Sequence, residues 1–284
     1  MLPRFRLSEW VLIVFFGYIA LLSGFFPDRP NLRYQPLLLF LAVTALYWAL
    51  DRMEASRFAR AVQITRDWLP LLLTFIAFRE MELFLPRDYN YHYEAVWIRL
   101  DQVVLGDWHV RDAIENLGRI LPFYFEFCYL LVYAVGPYCI GVLTAHADQR
   151  AIDRFWTVYL TGTLAAYALF PYFPSQPPRY AFPNVETPSI TTWVRHLNLF
   201  LLKEATIHVG VFPSAHVSSA FSAAWGLFLV KPKRRIFGWS MLIYAISVSI
   251  ATVYGRYHYV SDVLAGFGVS LLAGGVCLFL TAQD

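Results

Sequence analysis

The chain has 284 residues, of which 58% are hydrophobic and 15% are charged, and its mean hydropathy is +0.48. A soluble domain is roughly 45–50% apolar and about 25% charged, so this composition excludes an ordinary soluble domain and indicates a protein of the bilayer. The formal net charge of +3 is small and the basic residues are spread along the chain, which argues against a nucleic-acid partner.

Apolar runs predict about eight membrane-spanning helices, and therefore an all-α polytopic membrane protein. The first run is interpreted as a retained anchor rather than a signal peptide, because no small-residue cleavage pattern follows it. In chain order, the predicted spans are residues 10–26, 36–50, 68–86, 121–145, 155–173, 213–230, 236–254 and 258–281.

The segments between these runs have distinct expected structures. Residues 51–67 are predicted to be a surface linker that separates an N-terminal hairpin from the rest of the chain. Residues 87–119 mix charges with tyrosine and tryptophan, which is typical of short helices lying in the headgroup plane. Residues 174–180 are expected to be extended, because consecutive prolines fix φ and lack amide donors. A short helix is expected around residues 191–202.

Charged residues within two of the predicted spans leave alternatives open, because a charge in a span is costly unless it faces water, a partner or the bundle interior. Arg79, Glu80 and Glu82 either form an ion-paired helix end at the interface or line a polar substrate cavity. Glu126 is either a cavity residue or an interfacial residue.

The orientation in the membrane is predicted from the loop at residues 231–235, which has four basic side chains in five positions. Short basic clusters beside a span stay cytoplasmic. Arg179, His216, Arg256 and His258 then fall together on the extracytoplasmic side. Residues on opposite sides of the membrane could not build one site, so this agreement indicates a common site.

Two histidines at the ends of predicted spans carry the candidate chemistry. His216 begins the sixth span, and His258 begins the eighth and is followed four residues later by Asp262. One neutral imidazole can attack phosphorus, the other can protonate the leaving oxygen, and a carboxylate at i+4 can fix the ring of the nucleophile. Each histidine alone could be an interfacial residue, but an unpartnered carboxylate in an apolar helix is expensive. The three residues together therefore predict a phosphoryl-transfer site.

Three separated pieces of the sequence resemble the three signatures of the type 2 phosphatidic acid phosphatase superfamily. They are Pro178-Arg179, Pro213-Ser214-Ala215-His216 and His258-Tyr259-Val260-Ser261-Asp262. More narrowly, Phe212-Pro213-Ser214-x-His216 with Tyr254-x-x-x-His258-Tyr259-x-x-Asp262 is similar to the branch that contains inositol phosphorylceramide synthase and its bacterial relatives.

The resemblance covers roughly residues 66–281 and implies a domain organisation. Residues 66–284 would form the six-helix catalytic core of that family, including an interfacial segment at residues 87–120. Residues 1–65 would add an N-terminal transmembrane hairpin and a cytoplasmic linker.

The resemblance also implies roles for individual residues. His258 is similar to the nucleophile that becomes a phosphohistidine, and Asp262 to the carboxylate that orients it. His216 resembles the general acid that protonates the departing alkoxide and later acts as a base. Ser214 and the amides near Ala215 and His216 would hold phosphate oxygens, which agrees with the preference of anions for a helix N-terminus. Serine is also a preferred helix N-cap, and the two roles are compatible.

The cations of the family's signatures are only partly present. Arg179 matches the arginine of the first signature, but the usual lysine seven residues before it is Tyr172. The usual arginine six residues before the nucleophile is Thr252, and Arg256 is the nearby candidate to replace it as a phosphate ligand. A dianionic monoester needs more positive charge than a singly charged diester, so the missing cations favour a diester substrate.

These inferences favour an integral membrane lipid phosphotransferase, whose partners are a lipid donor and a lipid or alcohol acceptor. The alternative is a lipid phosphate phosphatase that releases phosphate to water. A non-enzymatic lipid transporter with a histidine proton relay is disfavoured, because the acidic and basic groups gather at one side of the membrane rather than forming a chain through the bilayer. The compact core is typical of a bacterial inner-membrane enzyme, with the site on the extracytoplasmic side. The sequence gives no oligomeric state.

No cofactor or metal is expected. An H-E-x-x-H pattern is absent, and His92 and His109 have no partners at metal-ligand spacing. Cys128, Cys139 and Cys277 all lie in apolar runs, so neither a disulfide framework nor a thiolate metal site is implied.

Overall fold

The structure is a computed structural model that describes residues 4–29, 32–86, 92–205, 207, 209–230 and 235–281. Its regular elements over these residues are all helical, which suits a chain whose backbone polar groups must be satisfied inside a bilayer. The helices are α1 (Leu7–Leu22), α2 (Gln35–Met53), α3 (Ala59–Met81), α4 (Glu94–Asp101), α5 (Val110–Glu115), α6 (Ile120–Leu130), α7 (Val135–His146), α8 (Gln149–Leu169), α9 (Pro178–Ala181), α10 (Trp193–Ala205), α11 (Ala215–Val230), α12 (Ile236–Tyr254) and α13 (Val260–Thr281).

Six helical stretches of the described chain are long and apolar enough to cross a bilayer. They are Leu7–Phe25, Gln35–Met53, Ala59–Phe84, Ile120–His146, Ile236–Tyr254 and Val260–Phe279. Each coincides with one of the eight predicted spans, so the prediction of an all-α polytopic membrane protein is confirmed. The other two predicted spans, residues 155–173 and 213–230, are also helices, namely α8 and α11. Neither is among the six, and α11 is shorter than each of them.

Helices α8 and α11 lie at the centre of the bundle. Helix α8 packs against α11, α13, α1 and α3, and α11 also packs against α12 and α13. Small residues allow α8 and α11 to approach each other closely. As a result, the Ser218 hydroxyl on α11 donates a hydrogen bond to the backbone carbonyl of Gly162 on α8 at 2.8 Å. Neighbouring helices rather than lipid surround much of this pair, so the pair needs less apolar surface than the outer spans do.

The linker predicted at residues 51–67 is wrong for its second half, because α3 begins at Ala59. The charged residues there are paired inside the protein. Arg66 donates through Nε and Nη2 to the two carboxylate oxygens of Glu9, each at 2.7 Å, and both side chains are buried. Asp67 is likewise buried and accepts a hydrogen bond from Arg6 at 2.6 Å. These contacts join α3 to the N-terminal helix, whereas the predicted domain boundary near residue 65 stays a prediction.

The segments on the other side of the third span largely match the sequence-based expectations. Helices α4 and α5 with a π-helical turn at Gln102–Asp107 confirm short helices in the 87–119 segment, of which residues 87–91 lie outside the described part. Helix α10 confirms the short helix expected near residues 191–202. The extended segment ends earlier than predicted, because Pro178 starts α9, and proline is pre-organised for the first position of a helix.

The charges at the end of α3 fit the interpretation of an ion-paired helix end. Arg79 and Glu82 form an exposed ion pair at 3.0 Å, and Glu80 accepts a hydrogen bond from the side-chain amide of Gln35 at 2.9 Å. Residues 231–234 of the basic loop used to predict the orientation lie outside the described residues. The orientation of the bundle in the membrane therefore stays a prediction.

Candidate active site

His258, His216 and Asp262 meet where α11 and α13 begin. His258 Nδ1 lies 3.2 Å from Asp262 Oδ2, and His258 Nε2 lies 3.2 Å from His216 Nδ1. Asp262 Oδ2 also accepts the backbone N–H of Tyr259 at 3.0 Å, so the carboxylate is held by the backbone. A carboxylate beside Nδ1 favours the tautomer with a proton on that nitrogen. The lone pair of His258 Nε2 then points towards His216.

The environment of His258 favours the neutral imidazole. The side chain lies in the loop between α12 and α13 and is almost fully buried. Burial, reinforced by the proximity of His216 and Arg179, lowers the pKa of His258 well below its usual value. A neutral ring near pH 7 keeps the lone pair that attack on phosphorus requires.

The close approach of α13 to the start of α11 brings the two histidines together. The backbone N–H of Ser214 donates to the carbonyl of Asp262 at 2.9 Å, and Ser214 Oγ accepts from the amide of Val217 at 3.4 Å as an N-cap. A Cβ at Gly266 would overlap the carbonyl oxygen of Ser214. Glycine at position 266 is therefore required for the spacing that places His216 beside His258.

We expect Gly266→Ala to reduce activity at least about tenfold, because the new methyl group must push α13 away from the backbone of Ser214. The matched control is Gly268→Ala, since nothing lies within 4 Å of a Cβ at Gly268. Initial rates with a lipid phosphoester, measured on protein that elutes as a single species in detergent, check the expectation. Equal rates for the two variants would show that the close approach does not set the site geometry.

A cavity of about 260 Å³ opens beside the histidines. Four of the predicted site residues line it, namely Arg179, Ala215, His216 and His258. The other three, Ser214, Asp262 and Arg256, are buried and are not among the residues that line it. Asp262 contacts His258, which lines the cavity, and Ser214 caps the start of α11.

Arg179 is the cation that the cavity presents among the described lining residues. Its backbone N–H donates to the carbonyl of Arg256 at 3.2 Å, and its guanidinium lies over the rings of Tyr180 and Tyr257, 4.7 and 5.5 Å from their centroids. Its Nε is buried and has no hydrogen-bond partner among the described residues. An arginine with unused donors at a cavity wall can bind phosphate oxygens.

Arg256 is committed to a different contact. Its Nη1 lies 2.5 Å from Asp101 Oδ2, and both side chains are buried. Asp101 Oδ1 accepts the backbone N–H of Val260 at 2.8 Å, so the pair connects α4 to the first turn of α13. Burial raises the pKa of Asp101, although the charge of Arg256 opposes that rise. These contacts show Arg256 anchoring α13, and the phosphate contact predicted for it stays a prediction.

Several residues in and behind the cavity were not predicted as site residues from the sequence. Tyr129 stacks on the ring of His216, with 5.1 Å between centroids, and on Tyr257 at 3.9 Å. The Tyr257 hydroxyl donates to Glu126 at 2.6 Å, and Glu126 also pairs with Arg195 at 2.7 Å. Glu126 is thus buried behind the site, which neither of the two interpretations of the sequence predicted. A lone carboxylate in an apolar run does signal a buried partner, but not which one.

This arrangement places two imidazoles, which could serve as nucleophile and proton donor, and one guanidinium around one cavity. Together they can bind a phosphoester, displace one of its oxygens and return a proton to the departing group. In the part of the chain that the structure describes, no three His, Cys, Asp or Glu side chains gather in a way that could hold a metal ion.

A protein-family model described as "PAP2 superfamily" matches residues 98–276, which include the seven predicted site residues. The chain is also similar to a PA-phosphatase related-family protein of Dictyostelium discoideum, with 38% identity over 78 residues. That alignment covers 26% of this chain and 13% of the Dictyostelium protein, so the chain spans a small part of the relative it matches. No solved structure matches the chain.

Proposed function

The chain belongs to the PAP2 superfamily, and we propose that it is an integral membrane enzyme that moves a phosphate-containing headgroup from a donor lipid to the hydroxyl of an acceptor lipid. The observation that carries the proposal is the contact at 3.2 Å between His258 Nε2 and His216 Nδ1 beside a cavity lined by Arg179. Family membership supports the coarser class, a lipid phosphatase or phosphotransferase.

In the proposed first step, the lone pair of His258 Nε2 attacks the phosphorus of a phosphodiester. The bond from phosphorus to the donor lipid's oxygen breaks, and that oxygen takes a proton from the imidazolium of His216. The headgroup phosphate is then bound to His258 as a phosphohistidine. Asp262 stabilises the positive charge that develops on the His258 ring, because its carboxylate lies against Nδ1.

In the second step, the neutral ring of His216 takes the proton of an incoming alcohol, whose oxygen attacks phosphorus. The bond between nitrogen and phosphorus breaks, and His258 returns to its neutral state. Atoms and charges balance with the two histidines alone. A chain whose site is buried among helices can admit a lipid alcohol in preference to water.

The charge of the site favours a diester over a monoester. Among the described residues, Arg179 is the cation that lines the cavity, while the guanidinium groups of Arg195 and Arg256 are paired with Glu126 and Asp101. Arg179 keeps its charge through both steps, whereas His216 gives up its proton to the departing oxygen. One lasting cation matches the single charge of a diester better than the double charge of a monoester. This balance supports a substrate of the kind used by the inositol phosphorylceramide synthase-like branch. The proposed location of the site, on the extracytoplasmic side of the membrane, rests on the basic loop at residues 231–235.

The proposal is tested with purified protein, a phosphodiester lipid carrying a labelled headgroup, and a lipid alcohol in water enriched in heavy oxygen. We expect the label to appear on the acceptor lipid, whose phosphate should contain little heavy oxygen, and little free headgroup phosphate to be released. Exclusive incorporation of heavy oxygen into the headgroup phosphate would identify a hydrolase instead. Absence of both products with every donor would contradict the proposed function.

A further inference from the structure

We propose that the cavity beside the histidines binds one hydrocarbon chain of the lipid substrate, and that α3 helps to select this chain. The inference rests on the proposed function, because the chain must belong to a phosphoester whose phosphorus reaches His258. Arg179, His216 and His258 are the basic side chains among the described residues of the lining. The remainder of the lining is mainly apolar and aromatic, which suits a hydrocarbon.

The cavity reaches the protein surface within two predicted membrane spans. Three of its lining residues are exposed: Phe75, with 58% exposure, Tyr133, with 57%, and Pro137. Phe75 belongs to the span Ala59–Phe84, and the other two belong to the span Ile120–His146. A surface between two spans faces lipid rather than water, so a chain can pass into the cavity sideways from the bilayer.

The backbone beside this opening is shaped for close contact between α3 and α7. The span Ile120–His146 changes to a 3-10 helix at Leu131–Ala134 before α7 begins. Just after this change, the side chain of Leu71 on α3 occupies the space that a Cβ of Gly136 would need. Helix α3 is thus held against the opening, and its side chains border the path of the hydrocarbon.

The wall from α3 is a feature of this chain outside the matched family region. Leu71, Thr74, Phe75 and Phe78 line the cavity, whereas the family model begins at residue 98. The Thr74 hydroxyl donates to the carbonyl of Pro70 at 2.7 Å, so it is already satisfied within the helix. This side of the cavity therefore recognises size and apolarity rather than a polar headgroup.

Chain-length dependence tests the inference. In a series of phosphodiesters with one headgroup and alkyl chains of increasing length, each methylene that becomes buried should raise kcat/KM by up to about fourfold until the cavity is full. Thr74→Phe fills part of the cavity and should move the plateau to a shorter chain. The control is Leu72→Phe, which adds the same ring to an exposed position of α3 and should keep the wild-type profile.

Identical profiles for wild type and Thr74→Phe would overturn the inference. If wild type turns over no substrate of any length, the proposed function fails instead. A second measurement does not depend on catalysis or on the folding of Thr74→Phe. A diester with a photoreactive group at the end of its chain, irradiated with wild type and with His258→Ala, should label residues 71–78. Labelling confined to other helices would contradict the assignment of α3.

Discussion

Replacing His258 by alanine is expected to lower turnover of a lipid phosphodiester at least about 10⁴-fold, because the covalent route loses its nucleophile. The phosphoenzyme should also disappear. It can be detected by quenching the reaction with a donor whose headgroup phosphate is labelled, and it should be labile in acid, as expected of a nitrogen–phosphorus bond. The control is His196→Ala, which removes an exposed imidazole on α10 and should behave as wild type.

Asp262→Asn separates the charge of this side chain from its geometry. The amide oxygen can still accept the backbone N–H of Tyr259, so the helix start should be preserved. Loss of the negative charge beside His258 Nδ1 should cost about 10³- to 10⁴-fold in turnover, as for other carboxylates that orient a catalytic imidazole.

Full phosphorylation of His258→Ala would show that another residue is the nucleophile and that this mechanism is wrong.

Replacing His216 by alanine should have an effect that depends on the leaving group. With a lipid alkoxide as leaving group, the first step should slow by about 10²- to 10⁴-fold, because no proton donor stands beside the breaking bond. With a nitrophenol ester, the first step should slow much less, since a nitrophenolate departs without a proton. The burst of nitrophenol in stopped-flow absorbance measures that step directly.

The contrast between the two substrates also provides the control for misfolding. A misfolded His216→Ala variant would lose both activities, and His258→Ala should lose both as well because it lacks the nucleophile. An equal loss on the alkyl and nitrophenyl substrates in folded His216→Ala protein would assign His216 to positioning rather than to proton transfer.

Local patterns in the sequence predicted the features that depend on local geometry. The spacing of four between His258 and Asp262 brings the two side chains together wherever a helix starts between them, and the structure places them 3.2 Å apart. Long apolar runs likewise predicted the six outer spans. Helices α8 and α11 were recognised as helices, but their central place in the bundle was not predicted, because it depends on which neighbours cover them.

Features that depend on pairing between distant residues could not be predicted. The charges at residues 51–67 suggested a surface linker. Arg66 is nevertheless buried, because it pairs with Glu9, which lies 57 positions away in the chain. The partner of Glu126 is Arg195, in α10, where the sequence predicted only a short helix around residues 191–202 and no partner for Glu126. The sequence shows that a buried charge would be costly without a partner, but only the folded structure shows which residue is that partner.

The hydrogen bond between the two imidazoles has a consequence for the enzyme before substrate arrives. In-line displacement needs the phosphorus and the departing oxygen between His258 Nε2 and the proton donor, and 3.2 Å leaves no room for either. Under the proposed mechanism, we therefore expect the ring of His216 to rotate away and to lose its stacking on Tyr129 when a phosphoester binds. Until then the lone pair of His258 Nε2 faces His216 and is not free to attack phosphorus.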